Sequence, residues 1–296
     1  MATMEDRIAH LLAHRDFDDV AHGLASGFLA VQEAAPRLAS LFSTQQRWLM
    51  SHVALARYFH AVRAGRPGLS RREFLDDLQP FALSSRNTAA AFFDEVLHYG
   101  IVHPAAAAGW ASDLVVPAPA TLSALAEWFA IHLGALDRLD SGGRLARLRQ
   151  DQEPLLATLQ PLVAAALLGN TTIRTLPPSY AIFALIDDGG SLMDRLIAGL
   201  DIAAPPQARA PTHITSISAL ARGLGLSRTH AGRTIAAAAA IGALGWDGAP
   251  GRSRLWLSRT FRNEYARVQA TKLAIIADAF STATVRADDA SASPPR

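Results

Sequence analysis

Residues 226–258 read LSRTHAGRTIAAAAAIGALGWDGAPGRSRLWLS, and the order of residue types in them decides how the rest of the chain is read. Ser227 stands where a helix N-cap belongs, and the alanine run 236–240 prolongs a strong helix. Asp247-Gly248-Ala249-Pro250-Gly251 is turn chemistry, and Leu255-Trp256-Leu257-Ser258 alternates as a short strand. If Ile235 points to a core, a rotation of about 100° per residue puts Thr229, His230, Arg233 and Ala237 on the opposite face. That face is narrow and basic, and the alanines beyond it would let the helix lie deep in a groove. Arg233 can present a planar fork to a guanine edge, a contact worth about 1–3 kcal/mol in discrimination. Thr229 and His230 are placed for bases or phosphates, Ser227 and Arg228 for phosphate oxygens. Arg252 and Arg254, two apart on an expected extended strand, should emerge on one side, where arginines suit a narrow, negative minor groove.

Working outward, residues 213–225 supply a short helix capped near Thr215 or Ser216 and a glycine-containing turn. Residues 259–280 supply a long helix with Phe261, Tyr265, Val268 and Ile275 on one face. The same order occurs earlier in the chain. Ser43 and Gln46 have the form of a capping box before a helix carrying Trp48, His52, Leu55, Phe59 and Val62 at helical spacing, with Gly65 at its end. Ser70 caps a short helix with Phe74, Leu75 and Leu78. Ser84 is expected to cap a second, burying Phe92, Val96 and Leu97. The ends of VHPAAAAGWASDLVVP, residues 102–117, can pair as strands, and residues 121–140 form a long helix with Leu122, Leu125, Phe129, His132 and Leu136 on one stripe, stopped by Ser141-Gly142-Gly143. Counted from Ser84 and Ser227, Phe92 matches Ile235. Element order repeats, although identity is low.

In that register the outward positions of the first copy are Arg86, Asn87, Ala90 and Asp94. The acidic Asp94-Glu95 pair faces phosphate unfavourably, and the expected wing holds no basic residue. Arg71, Arg72, Arg86 and Asn87 are its expected contacts to nucleic acid, weaker than those of the second copy.

At 296 residues, half of them apolar, the chain is long enough for two domains with their own cores. Ala and Leu dominate and β-branched runs are short, so helix should far exceed strand. The absence of cysteine excludes a disulfide scaffold, a thiolate metal site and a cysteine nucleophile. The start, MATMEDRIAHLLAHRDFDD, lacks a basic region and an uninterrupted apolar core, so secretion is not expected. The longest apolar run, at 161–169, is far short of a membrane span. A cytoplasmic protein is expected. Net charge is only +2, but from Arg209 to Lys272 ten basic residues face just Asp247 and Glu264.

Together these segments resemble the winged helix-turn-helix superfamily, and the long helix after each wing is most similar to the MarR-type branch. The resemblance covers residues 43–140 and 214–280. It implies a mostly α protein with two winged helix-turn-helix modules in tandem, each with a small β wing, plus additional N-terminal and central helices. The expected organisation is an N-terminal helical region at 1–42, a first module at 43–140, central helices and a Pro-rich linker at 141–210, a second, basic module at 211–280, and a disordered tail at 281–296. It further implies a sequence-specific regulator of transcription that binds double-stranded DNA, with the helix after the turn in the major groove and the wing on backbone or minor groove. Two modules in one chain would imitate the halves of a dimer, and homodimerisation through N-terminal or central helices stays open. A small-molecule effector is implied by the family alone, and no residue identifies one. Two rival roles use the same modules: a plasmid-type replication initiator, and a winged-helix scaffold that binds protein.

No phosphate-binding glycine loop, nucleophile elbow or zinc motif is found, so no enzyme activity, catalytic residue, cofactor or metal is expected. His10, His14 and Asp18 at i, i+4 and i+8 would share a helix face, but they read as an amphipathic surface. His52 and His60 read as structural or pocket groups, and Asp187-Asp188-Gly189-Gly190 as a turn.

Overall fold

The computed structural model describes residues 2–105, 113–203 and 207–292, with side chains described as far as Val285. The protein is 69% helix and 8% strand, the balance its Ala- and Leu-rich composition dictates. The N-terminal helices are α1 (Met4–Leu12), α2 (Phe17–Ala34), α3 (Pro36–Leu41) and α4 (Gln45–Arg63). Then come β1 (Leu69–Ser70), α5 (Arg71–Leu78), α6 (Arg86–His98), β2 (Val102–Pro104), β3 (Leu114–Pro117) and α7 (Pro119–Asp140). The central helices are α8 (Arg144–Gln150), α9 (Gln152–Gly169), α10 (Thr171–Arg174), α11 (Pro178–Ala184) and α12 (Gly189–Ala198). The chain ends with β4 (Arg209–Pro211), α13 (Ile217–Ala221), α14 (Arg228–Ala240), β5 (Leu244–Trp246), β6 (Leu255–Ser258) and α15 (Arg259–Ala292).

Two compact units result, residues 1–45 with 171–272, and residues 46–170 with 273–296. In the first, α2 packs on α12 and α11 on α14, around a core that includes Phe17, Leu24, Phe183, Leu192 and Phe261. The Phe183 and Phe261 rings stack at 5.3 Å. In the second, α7, α8 and α9 pack in succession, and Phe74, Phe92, Phe93, Phe129 and Leu133 are buried. Each unit holds one three-stranded antiparallel sheet, ordered β1-β3-β2 in one and β4-β6-β5 in the other.

The strands β1 and β4 went unrecognised in the sequence. Residues 209–211 lie in a stretch read as a Pro-rich connector, yet Arg209 pairs with Ser258 and Pro211 with Trp256. A proline is tolerated there because β4 is an edge strand and need not donate on both sides.

Several local expectations are corrected. Ser85, not Ser84, caps α6 by accepting from Thr88 N at 3.1 Å, while the Ser84 hydroxyl lies 3.6 Å from Met50 Sδ. Gln46 Nε2 donates to Leu83 O, and the buried Ser43 hydroxyl has no hydrogen-bond partner among the described residues, so their capping box does not form. In α4 the buried residues are Leu49, Met50, His52, Val53, Phe59 and Ala61, and Val62 and Leu97 are exposed. Gly65 does close α4, at φ 72°, and α7 ends at Ser141 in the left-handed region. The helical spacing of His10, His14 and Asp18 is broken, because α1 ends at Leu12 and α2 begins at Phe17; His14 Nδ1 instead takes the Asp16 N–H at 3.2 Å. Residues 281–292, expected as a disordered tail, continue α15, and Ala283 is fully buried. Small residues without Gly or Pro let a packed helix propagate cheaply. Residues 293–296 lie outside the described residues.

Candidate nucleic-acid interface

The helix pair α13–α14 is set by two serines. Ser216 Oγ accepts from Ala219 N, and Ser227 Oγ from His230 N, each at 3.1 Å. The left-handed Gly223 and Gly225 carry the turn between the helices. Ala231, Thr234, Ile235 and Ala238 are buried, which leaves Arg228, Thr229, Arg233, Ala236 and Ala237 exposed. The periodicity inferred from Ile235 therefore holds at Thr229, Arg233 and Ala237.

The turn is braced from outside the pair. Arg195 of α12 donates to the carbonyls of Leu220, at 3.2 Å, and Arg222, while its other nitrogen lies 3.5 Å from Glu33 of α2. These carbonyls end α13, where cations are favoured. No spacing in the sequence points to Arg195, because the contact joins segments remote along the chain. His230, read as outward, is only half-buried and interacts with Asp188. Burial is the main cause that raises the Asp188 carboxyl above its usual range. The Ser40 hydroxyl lowers it, Asp187 raises it, and His230 lowers it.

The hairpin between β5 and β6 carries the other two arginines. Asp247 N donates to Arg254 O at 2.9 Å and Arg252 N to Ala249 O at 3.0 Å, with the left-handed Gly251 between. Arg252 thus belongs to the turn and Arg254 precedes β6, so the expectation that strand alternation aligns them is corrected. Both are exposed. Below the turn, Trp256 lies against Gly245, where a Cβ would come within 2.4 Å of the ring, and Arg209 sits 4.4 Å from the ring centroid.

The basic run from Arg209 to Lys272 is therefore sorted by the fold. Arg209 stacks on Trp256, Arg262 donates to Gln207 O at 2.6 Å, and Arg267 pairs with Glu5 at 2.8 Å. Lys272 lies 5.6 Å from the Phe28 ring centroid, and burial pulls its ammonium down to about 8. Arg228, Arg233, Arg252 and Arg254 form no ion pair or side-chain hydrogen bond among the described residues.

The second unit repeats the arrangement, with a register one residue from the expected one. Aligning Ser85 with Ser227 matches Phe93 with Ile235, both buried, and Gly100 with Gly242, both left-handed. Matching hydrogen bonds close the two helices: Ile101 N to Val96 O at 2.9 Å and Ala243 N to Ala238 O at 3.0 Å. Ala91 replaces the half-buried Ala90 as an outward position. The signal was present, since Ser85-Arg86-Asn87-Thr88-Ala89 and Ser227-Arg228-Thr229-His230-Ala231 share Ser, Arg and Ala in step.

The electrostatics of the two pairs differ. Arg71 lies 2.7 Å from Asp94, Arg86 3.3 Å from Asp76, and Arg72 3.8 Å from the same Asp76. Asn87 is exposed. The wing expected at 102–117 falls partly at 106–112, outside the described residues.

Comparison with family models, with curated proteins and with solved structures finds no match. Among the described residues, no helix is long and apolar enough to cross a membrane.

Proposed function

We propose that the protein is a sequence-specific double-stranded DNA-binding regulator of transcription, built from two winged helix-turn-helix modules and acting by binding rather than catalysis. The observation that carries this reading is the exposed face of α14 together with its hairpin, where Arg228, Arg233, Arg252 and Arg254 have no acidic partner among the described residues. An uncompensated guanidinium is suited to phosphate oxygens or a guanine edge. In this reading α14 enters the major groove with Arg233 toward the bases, and Arg228 and the hairpin arginines hold the backbone or minor groove. Alanines at 236 and 237 allow close approach. A genome-wide occupancy map in the host tests the role: peaks at promoters are expected, peaks confined to replication origins would favour an initiator, and no peaks would overturn DNA regulation.

A further inference from the structure

The helix pair α5–α6 repeats the order of α13–α14 but sets acids beside its arginines. Asp76 lies within α5, between the arginines of that helix and Arg86, whereas α13 ends at Ala221 and holds no acid. In the aligned second helices Asp94 stands where α14 has Ala236. The arginine after the second cap is common to both, as Arg86 and Arg228.

We propose that the α5–α6 surface is a second duplex-DNA backbone site held silent by Asp76 and Asp94, which serve as internal counterions for Arg71, Arg72 and Arg86. This inference rests on the DNA reading given above. The two carboxylates are 52% and 61% exposed, so the ion pairs themselves are weak and an arginine can leave them at little cost. The silencing comes from charge: any phosphate brought to Arg86 also meets Asp76, and any brought to Arg71 also meets Asp94. Like charges at such distances oppose binding even when the pairs open. The other acids of the pair are committed elsewhere, Asp77 to Arg57, Glu73 to Arg66 and Glu95 to Arg47, and they hold α5 and α6 in place without facing these three arginines. The face is therefore a DNA-binding geometry in which two side chains decide occupancy.

The test is fluorescence anisotropy of the full chain with a labelled 30-base-pair duplex of mixed sequence, titrated at several salt concentrations. Asp76→Asn/Asp94→Asn should bind about tenfold more tightly at low salt, and its log K against log salt should steepen by about 2 to 3, at roughly 0.9 per phosphate engaged. Adding Arg71→Ala/Arg72→Ala/Arg86→Ala to that background should remove the gain. An unchanged slope in Asp76→Asn/Asp94→Asn, or a gain that survives loss of the three arginines, would overturn the inference. Failure of the wild type to bind duplex at all would instead remove the DNA reading itself.

Discussion

Arg233 and Arg86 occupy comparable helices and differ in what surrounds them. Arg233 projects from the exposed face of α14 with no ion-pair partner among the described residues, whereas Arg86 lies 3.3 Å from Asp76. Arg233→Ala is expected to weaken duplex binding by about 1–3 kcal/mol, and Arg86→Ala to change it much less. A competition binding assay in which Arg86→Ala has the larger effect would reverse the assignment of the two modules. A second residue-scale prediction concerns the polar group inside the first unit. Tyr265 donates to Asp194 at 2.8 Å, burial pushes the Asp194 carboxyl up to about 7, and burial pulls the Lys272 ammonium down to about 8. Between its ordinary value and about 7 the folded Asp194 binds more protons than the unfolded chain, so stability falls as pH rises through that window. Between about 8 and the ordinary lysine value the unfolded chain binds more, so stability rises. Melting temperature against pH at constant ionic strength should pass through a minimum near 7 to 8, and Asp194→Asn should flatten its acid side.

At the scale of elements, capping decides the register. Ser85→Ala should cost about 1 kcal/mol and Ser84→Ala less, because only Ser85 holds an N-terminal amide of α6. Chemical denaturation of the two variants distinguishes them. The α14 helix was legible because its cap, its buried Ile235 and its alanine run all agree, so a single phase fits the whole element. The register of α6 was less so: Ser84 and Ser85 are adjacent and both Phe92 and Phe93 are buried, so counting from Ser84 was as good a choice until the left-handed Gly100 aligned with Gly242. The short strands β1 and β4 have no periodicity of their own and exist only through pairing with β3 and β6. At the site, the sequence located the basic stretch but could not separate Arg228 and Arg233 from Arg262 and Arg267, whose partners come from distant segments. The bracing of the turn by Arg195 was hidden for the same reason.

At the scale of the molecule, a net charge of +2 conceals two unlike halves. One unit leaves four arginines on a helix and hairpin without acidic partners among the described residues, and the other places acids beside its three. Nearly neutral proteins can still bind nucleic acid when positive charge is concentrated on one face. The measurement that tests this account most directly is the salt dependence of duplex affinity for the wild type and for Arg233→Ala/Arg252→Ala/Arg254→Ala. The account predicts a wild-type slope of about −3, flattened by about 2 in the triple variant, at roughly 0.9 per phosphate contact. A wild type that shows no salt-sensitive association with duplex DNA, or a triple variant whose slope and affinity match the wild type, would contradict it.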